Sequence, residues 1–115
     1  SNKKKKEESL ISIYNYKDDS SLIYEGIIKK KFSENNFSLI ESGSCYSDLS
    51  NLSCGKVDCC VIINPPKKLI IEAGLMISST GGDFKAIELK DTKIFIAGNK
   101  FVDKIVTEMV EKSLN

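Results

Sequence analysis

Four cysteines, Cys45, Cys54, Cys59 and Cys60, crowd into one short segment of a 115-residue chain that has no others. A thiolate cluster can hold zinc, run redox chemistry or close a disulfide. The spacing argues against the first two. No pair is separated by two residues, as zinc ribbons and thioredoxin-type sites require. An all-cysteine metal site would need Cys59 and Cys60 together, but neighbouring side chains on a strand point to opposite faces. These two therefore read as small apolar fillers of a buried strand. Cys45 and Cys54 lie in a stretch that reads as a loop. They are the one pair placed so that a disulfide or reactive dithiol could form, and a reducing compartment would keep them as free thiols.

The other polar candidates are few. Ala97-Gly98-Asn99-Lys100 stands at a strand-to-helix junction, so Asn99 and Lys100 form a candidate anion site. Ser78 to Asp83 carries two glycines, but they follow a helix and read as its C-terminal stop rather than as a phosphate cradle. Asp18 and Asp19 precede a helix and suit its dipole. Lys67 and Lys68 begin another helix and read as solvated; because a cation there opposes the dipole, Lys67 is also the candidate for an interface role. All 17 basic residues are lysine; histidine, arginine, tryptophan and glutamine are absent. Without histidine there is no common general base or metal ligand. Without arginine, bidentate phosphate and guanine readout is missing. No catalytic residue, metal or cofactor is expected on these grounds. With a net charge of +1 and scattered aromatics, no nucleic-acid partner is expected either.

Elements must position these residues. Leu10 to Tyr16 alternates and reads as a strand. Leu22 to Asn35 reads as a helix and Phe37 to Glu41 as a short strand. Ser42 to Lys56, rich in Ser, Gly, Asn and Asp, reads as a loop. Val57 to Asn64 is a continuous apolar run of the kind buried on both faces of a sheet. Pro65-Pro66 opens a helix from Lys67 to Thr80. Phe84 to Leu89 and Lys93 to Ala97 form a hairpin through Lys90, Asp91 and Thr92. A last helix runs from Lys100 to Leu114 with Phe101, Ile105, Val106, Met109 and Val110 inward. Leu22–Ser42 laid on Leu69–Leu89 without a gap gives six identities in 21 positions, a sign of two similar β-α-β units. The fold expected is α+β: two such units, a further strand and a C-terminal helix. The sheet is expected to be mainly antiparallel with helices on one face.

From Val57 onward the chain resembles the bacterial microcompartment shell-protein domain. "LIIEAGLMISSTGGDFKAIEL" is similar to that family's first helix, turn and strand. "TKIFIAGNKFVDKIVTEMVEKSL" is similar to its third strand, the glycine that ends it, and the helix that follows. The N-terminal half would supply the remaining strand, as in a circularly permuted member. The resemblance implies a non-enzymatic, self-assembling subunit of a homo-oligomer. It implies Lys90, Asp91 and Thr92 near a pore and Lys67 at an edge. The other reading is a small ligand-binding or regulatory module of a larger protein. Residues 1–9 read as a disordered, lysine-rich lead-in to one domain over 10–115. The start Ser1-Asn2, without Met, reads as a tag remnant on an excised domain. A cytoplasmic location is expected, with membrane association only through a segment upstream.

Overall fold

The computed structural model describes residues 9–16, 19–41, 43–89 and 91–114. The order is β1 (Leu10–Asn15), α1 (Asp19–Glu34), β2 (Ser38–Ile40), α2 (Cys45–Ser53), β3 (Cys59–Ile63), α3 (Lys67–Ser79), β4 (Asp83–Glu88), β5 (Lys93–Gly98) and α4 (Lys100–Leu114). The expected lead-in lies outside the described residues but for Ser9. Asp18, Lys90 and the side chain of Phe101 lie outside them as well. Among the described residues no helix is long and apolar enough to cross a membrane.

The five strands form one sheet in the order β2-β1-β3-β5-β4. β1 runs parallel to β2 and β3, while β5 is antiparallel to both β3 and β4. Four strands thus point one way and β5 alone opposes them. The α+β class holds, but the expectation of a mainly antiparallel sheet gives way to a mixed one. The reason is the two β-α-β units: β1-α1-β2 and β3-α3-β4 are both crossovers between parallel strands.

Helices on one face is also corrected. Ile28 and Phe32 of α1 and Val102, Val106 and Val110 of α4 pack on one face, against Ile11, Ile13, Val61, Ile94 and Ile96. Leu49 of α2 and Leu69, Ala73 and Ile77 of α3 pack on the other, against Cys60, Ile62, Phe95 and Ala97. β3 is buried at all five positions. A strand with no polar position has no face to give to water, so it demands helices on both sides.

The cysteines follow the same geometry. Cys59 belongs to the first face's core and Cys60 to the second. Burial raises both thiols: Cys59 well above its usual range and Cys60 to about 12. A thiol held protonated is a poor nucleophile and a poor metal ligand.

The stretch expected to be a loop contains α2. Ser44 adopts extended dihedrals of −145° and 118°, and its side chain accepts a bond from the Ser47 N–H at 3.3 Å. Cys45, Leu49 and Leu52 then recur at helical spacing and meet the core. Cys45 and Cys54 consequently sit at opposite ends of a helix. At 1.5 Å per residue that is roughly 13 Å of axial rise, beyond the span of a disulfide.

The amino ends of β1 and β3 are closed tightly. The buried Asp58 carboxylate accepts from the Leu10 N–H at 2.9 Å and from Asn99 Nδ2 at 3.4 Å. A side chain on Gly98 would sit 2.7 Å from the Asp58 carbonyl oxygen, and one on Gly82 would sit 2.7 Å from that of Gly98. Gly81, at φ +79°, ends α3 as its glycine pair predicts.

Candidate functional site

β1 leaves its carboxyl end for α1 on one face of the sheet. Its parallel neighbour β3 leaves for α3 on the other. Diverging connections from adjacent parallel strands open a crevice outside their carboxyl ends, the usual ligand position in sheets of this kind. Here α1, α2 and α3 all begin at that end, following β1, β2 and β3.

Two polar groups at this end come from the strands themselves. Asn15 closes β1, and Glu41 follows β2. Asn15 Nδ2 donates to Glu25 Oε1 of α1 at 2.7 Å, and Asn15 Oδ1 accepts from the Ser21 hydroxyl at 2.8 Å. One turn along α1, Lys29 Nζ meets Glu25 Oε2 at 2.6 Å and also Glu41 Oε1 at 2.6 Å. A chain of contacts therefore runs Ser21, Asn15, Glu25, Lys29, Glu41 and ties the ends of two strands to one helix. Burial alone would raise the Glu25 carboxyl, but the bonds from Lys29 and Asn15 outweigh it and hold it below the usual range. Burial alone would lower Lys29, but its two carboxylate partners outweigh that and keep it charged to higher pH. Beside this network lies a cavity of about 420 Å³, lined by Tyr14, Asn15, Leu22, Glu25, Glu41 and Gly43 among others. Gly43 holds φ +79°, a turn that delivers the chain to Ser44 and the start of α2.

Tyr16 follows β1 and packs with the core of the α2–α3 face. Its hydroxyl lies 2.7 Å from Cys45 Sγ, and its ring meets Tyr14 edge-on with centroids 5.0 Å apart. Burial, then the Cys45 contact, pushes its phenol well above the usual range. Asn64, at φ +55°, turns the chain out of β3; its amide oxygen accepts from the Lys93 N–H at 3.0 Å. Pro66 then caps α3 without a side-chain bond, and α3 has no acidic residue in its first turn. That leaves its N-terminal N–H groups open to an anion.

The candidates read from sequence distribute unevenly over this geometry. Lys67 is exposed at the start of α3, on the crevice end. Asp91 and Thr92 lie in the β4–β5 hairpin at the same end; Thr92 is buried, and its carbonyl accepts the Leu89 N–H at 2.8 Å. Lys90 lies outside the described residues. Asn99 and Lys100 stand at the opposite, amino end of β3, beside a second cavity of about 260 Å³ bordered by Gly55, Gly81, Gly82 and Gly98. Asn99 is fully engaged there: its oxygen caps α4 through the Val102 N–H at 3.0 Å, and its amide donates to Asp58. With Asp58 and Asp103 adjacent, that junction is acidic as well as basic. Among the described residues no three Cys, Asp or Glu side chains gather to hold a metal ion.

The Asn15–Glu25–Lys29–Glu41 network was not read from the sequence. Glu25 and Glu41 coincide with glutamates of the second unit in the internal alignment, which marks them without revealing that they converge.

No family model and no curated protein matches the chain. Solved structures do. SuhB of Mycobacterium tuberculosis superposes with a TM-score of 0.82 at 9% identity, over 99% of this chain and 45% of its own. The inositol monophosphatase of Anabaena (Nostoc) sp. gives 0.76 at 16% identity, over 97% and 46%. SaIMPase-II, solved with inositol monophosphate bound, gives 0.63 at 14% identity, over 88% and 42%. The chain spans a little under half the length of such structures, and at these identities the likeness is one of fold. It overturns the microcompartment resemblance. Strand-helix-hairpin-helix order is shared by many folds, whereas the likeness to the phosphatase structures extends over nearly the whole chain. The expected non-enzymatic shell subunit, with its pore at Lys90, Asp91 and Thr92 and its edge at Lys67, falls with that resemblance. The neighbours that replace it include named phosphatases, which are enzymes.

Proposed function

We propose that this chain forms one half of a phosphatase of the inositol monophosphatase type and that its crevice receives a phosphate monoester of a polyol. One observation carries the reading: three helices start around the carboxyl ends of β1, β2 and β3, beside the Asn15–Glu25–Lys29–Glu41 network. Helix starts favour phosphate through their free N–H groups and dipoles. Carboxylates and an amide are the groups that recognise hydroxyls. Inositol monophosphate, the ligand bound in the SaIMPase-II structure, combines both chemistries.

Hydrolysis asks for more. The charge of a transferring phosphoryl group is met by metal ions or by Arg and Lys clamps. The chain has no arginine, and its described residues gather no metal-binding cluster. In this proposal the acid groups and the attacking water are organised by the part of the fold this chain does not span. This half binds and orients the ester.

The test is calorimetric titration of the chain with inositol monophosphate, inositol and inorganic phosphate. The monoester should bind at least about tenfold more tightly than inositol. Equal binding of inositol and its monophosphate, or no heat from either phosphate, would sink the proposal.

A further inference from the structure

β4 is an edge of the sheet, bonded only to β5 and exposed at most of its positions. Which of its backbone groups face outward follows from the hairpin. The Leu89 N–H bonds to the Thr92 carbonyl at 2.8 Å, so Leu89 and Thr92 are a hydrogen-bonded pair. Antiparallel pairs alternate between bonded and unbonded. Ile87, Lys85 and Asp83 are then bonded to β5, and Phe84, Ala86 and Glu88 turn their N–H and C=O groups to the open edge.

The two sides of this edge differ in chemistry. On the α4 side a groove of about 630 Å³ reaches Asp103 and Thr107, one helical turn apart. Both are buried, at 8% and 7% exposure, yet Asp103 Oδ1 and Thr107 Oγ1 have no hydrogen-bond partner. The contrast with Ser113 on the same helix is instructive, because its hydroxyl bonds back to the Met109 carbonyl at 2.7 Å. Thr107 makes no such bond. On the α3 side the Phe84 ring lies 3.2 Å from where a Gly74 side chain would begin, and its helix neighbours Ile71 and Leu75 are 64% and 71% exposed. Buried polar atoms without partners are rare, and their cost is removed by a ligand that supplies the missing bond.

We propose that β4 accepts a sixth strand from a separate polypeptide. The segment is extended and about six residues long. Its side chains facing α4 are Lys or Arg, which donate to Asp103 and Thr107; those facing α3 are aliphatic and cover Phe84, Leu75 and Ile71. Main-chain bonds to Phe84, Ala86 and Glu88 supply affinity, and the alternation supplies specificity. A second copy of this chain fits less well: with only Phe84, Ala86 and Glu88 facing outward, β4 paired antiparallel with itself centres on Ala86 and sets the Phe84 ring against the Glu88 carboxylate twice. This inference concerns the far edge of the sheet and does not rest on the crevice.

The probe is a fluorescein-labelled peptide of three Lys-Val repeats, read by anisotropy. A peptide of the same composition with the lysines and valines in separate blocks is the control. The alternating peptide should bind at least about tenfold more tightly. Ala86→Pro removes an outward N–H without touching a bond to β5, so it should abolish binding while the circular dichroism spectrum is kept. Thr107→Val should weaken binding severalfold while leaving the melting temperature equal or higher, because an unmet hydroxyl is replaced by a methyl. A merely structural threonine would lower it. Equal binding of the two peptides, or full binding by Ala86→Pro, overturns the proposal. So does a concentration-dependent dimer that Ala86→Pro dissolves, which would give the edge to a second copy.

Discussion

The two β-α-β units are both crossovers between parallel strands and share six residues at a fixed offset, yet they have opposite chemical character. In the first, Asn15, Glu25, Lys29 and Glu41 bond to one another around the crevice. The same positions in the second are Ile62, Glu72, Met76 and Glu88. Ile62 is fully buried, Glu72 and Met76 are exposed, and Glu88 only reaches Lys93 at 3.3 Å. Position in the sheet explains the difference. β1 ends beside the short β2, where the open edge leaves the strand ends accessible to water. β3 is enclosed by β1, β5 and helices on both faces, so a polar side chain there has no partner. A unit becomes a site or a wall according to what flanks it.

The sharpest way to break this comparison is to give the second unit the first unit's residue. Ile62→Asn deletes a packed side chain and buries an amide with no partner, which should cost about 4 kcal/mol. Urea denaturation measures it directly. A loss below about 1 kcal/mol would mean that β3 can host a polar site after all, and the contrast between the units would fail.

A smaller effect belongs to the edge beside β4, where polar groups are buried without the bonding seen around Asn15. Burial, then the Asp83 charge, pushes the Asp103 carboxyl from 3.8 to about 6, against the opposing pull of Lys85. The folded chain therefore binds more protons than the unfolded one between about pH 4 and 6. Stability from this group is fully present below the unfolded value and declines as pH rises through that window, by roughly 2 kcal/mol once solvent screening trims the ~3 kcal/mol that the full shift would carry. Asp103→Asn should flatten that decline and leave the variant the more stable protein at pH 7. Parallel stability curves for the two proteins across the window would show that Asp103 is already satisfied.

How much of this was legible in the sequence differs between the units for the same reason. The continuous run from Cys59 to Ile63 announced a strand buried on both faces, and that run alone contradicts helices on a single face. The glycine stop at Gly81, the hairpin after Glu88 and the helix from Lys100 were readable because local backbone demands fix them. α2 was missed because its serines and asparagines suggest a loop; the helical spacing of Cys45, Leu49 and Leu52 was the overlooked signal. The crevice was missed because it is a product of strand order. Asn15 and Glu25 are close in sequence, but Glu41 joins them only once β2 lies parallel to β1, and no local pattern encodes that pairing. The microcompartment likeness was drawn from the C-terminal half alone and could not see it.

The mildest substitution is the most informative about function. Lys29→Met installs the second unit's residue in the first. Lys29 is partly exposed, and its two ion pairs are at the surface and screened, so stability should fall by only about 1 kcal/mol, and by less in high salt. If the proposed crevice binds a phosphate monoester, Lys29 should matter more to that binding than to the fold. Lys29 holds Glu25 and Glu41 in one arrangement and sets the charge beside the cavity, so removing it should weaken inositol monophosphate binding about tenfold while inositol binding changes little. The two readouts must separate for the comparison to stand. A large stability loss with unchanged affinity would make the network a strut that fastens α1 to the sheet, and the first unit would then be a wall like the second.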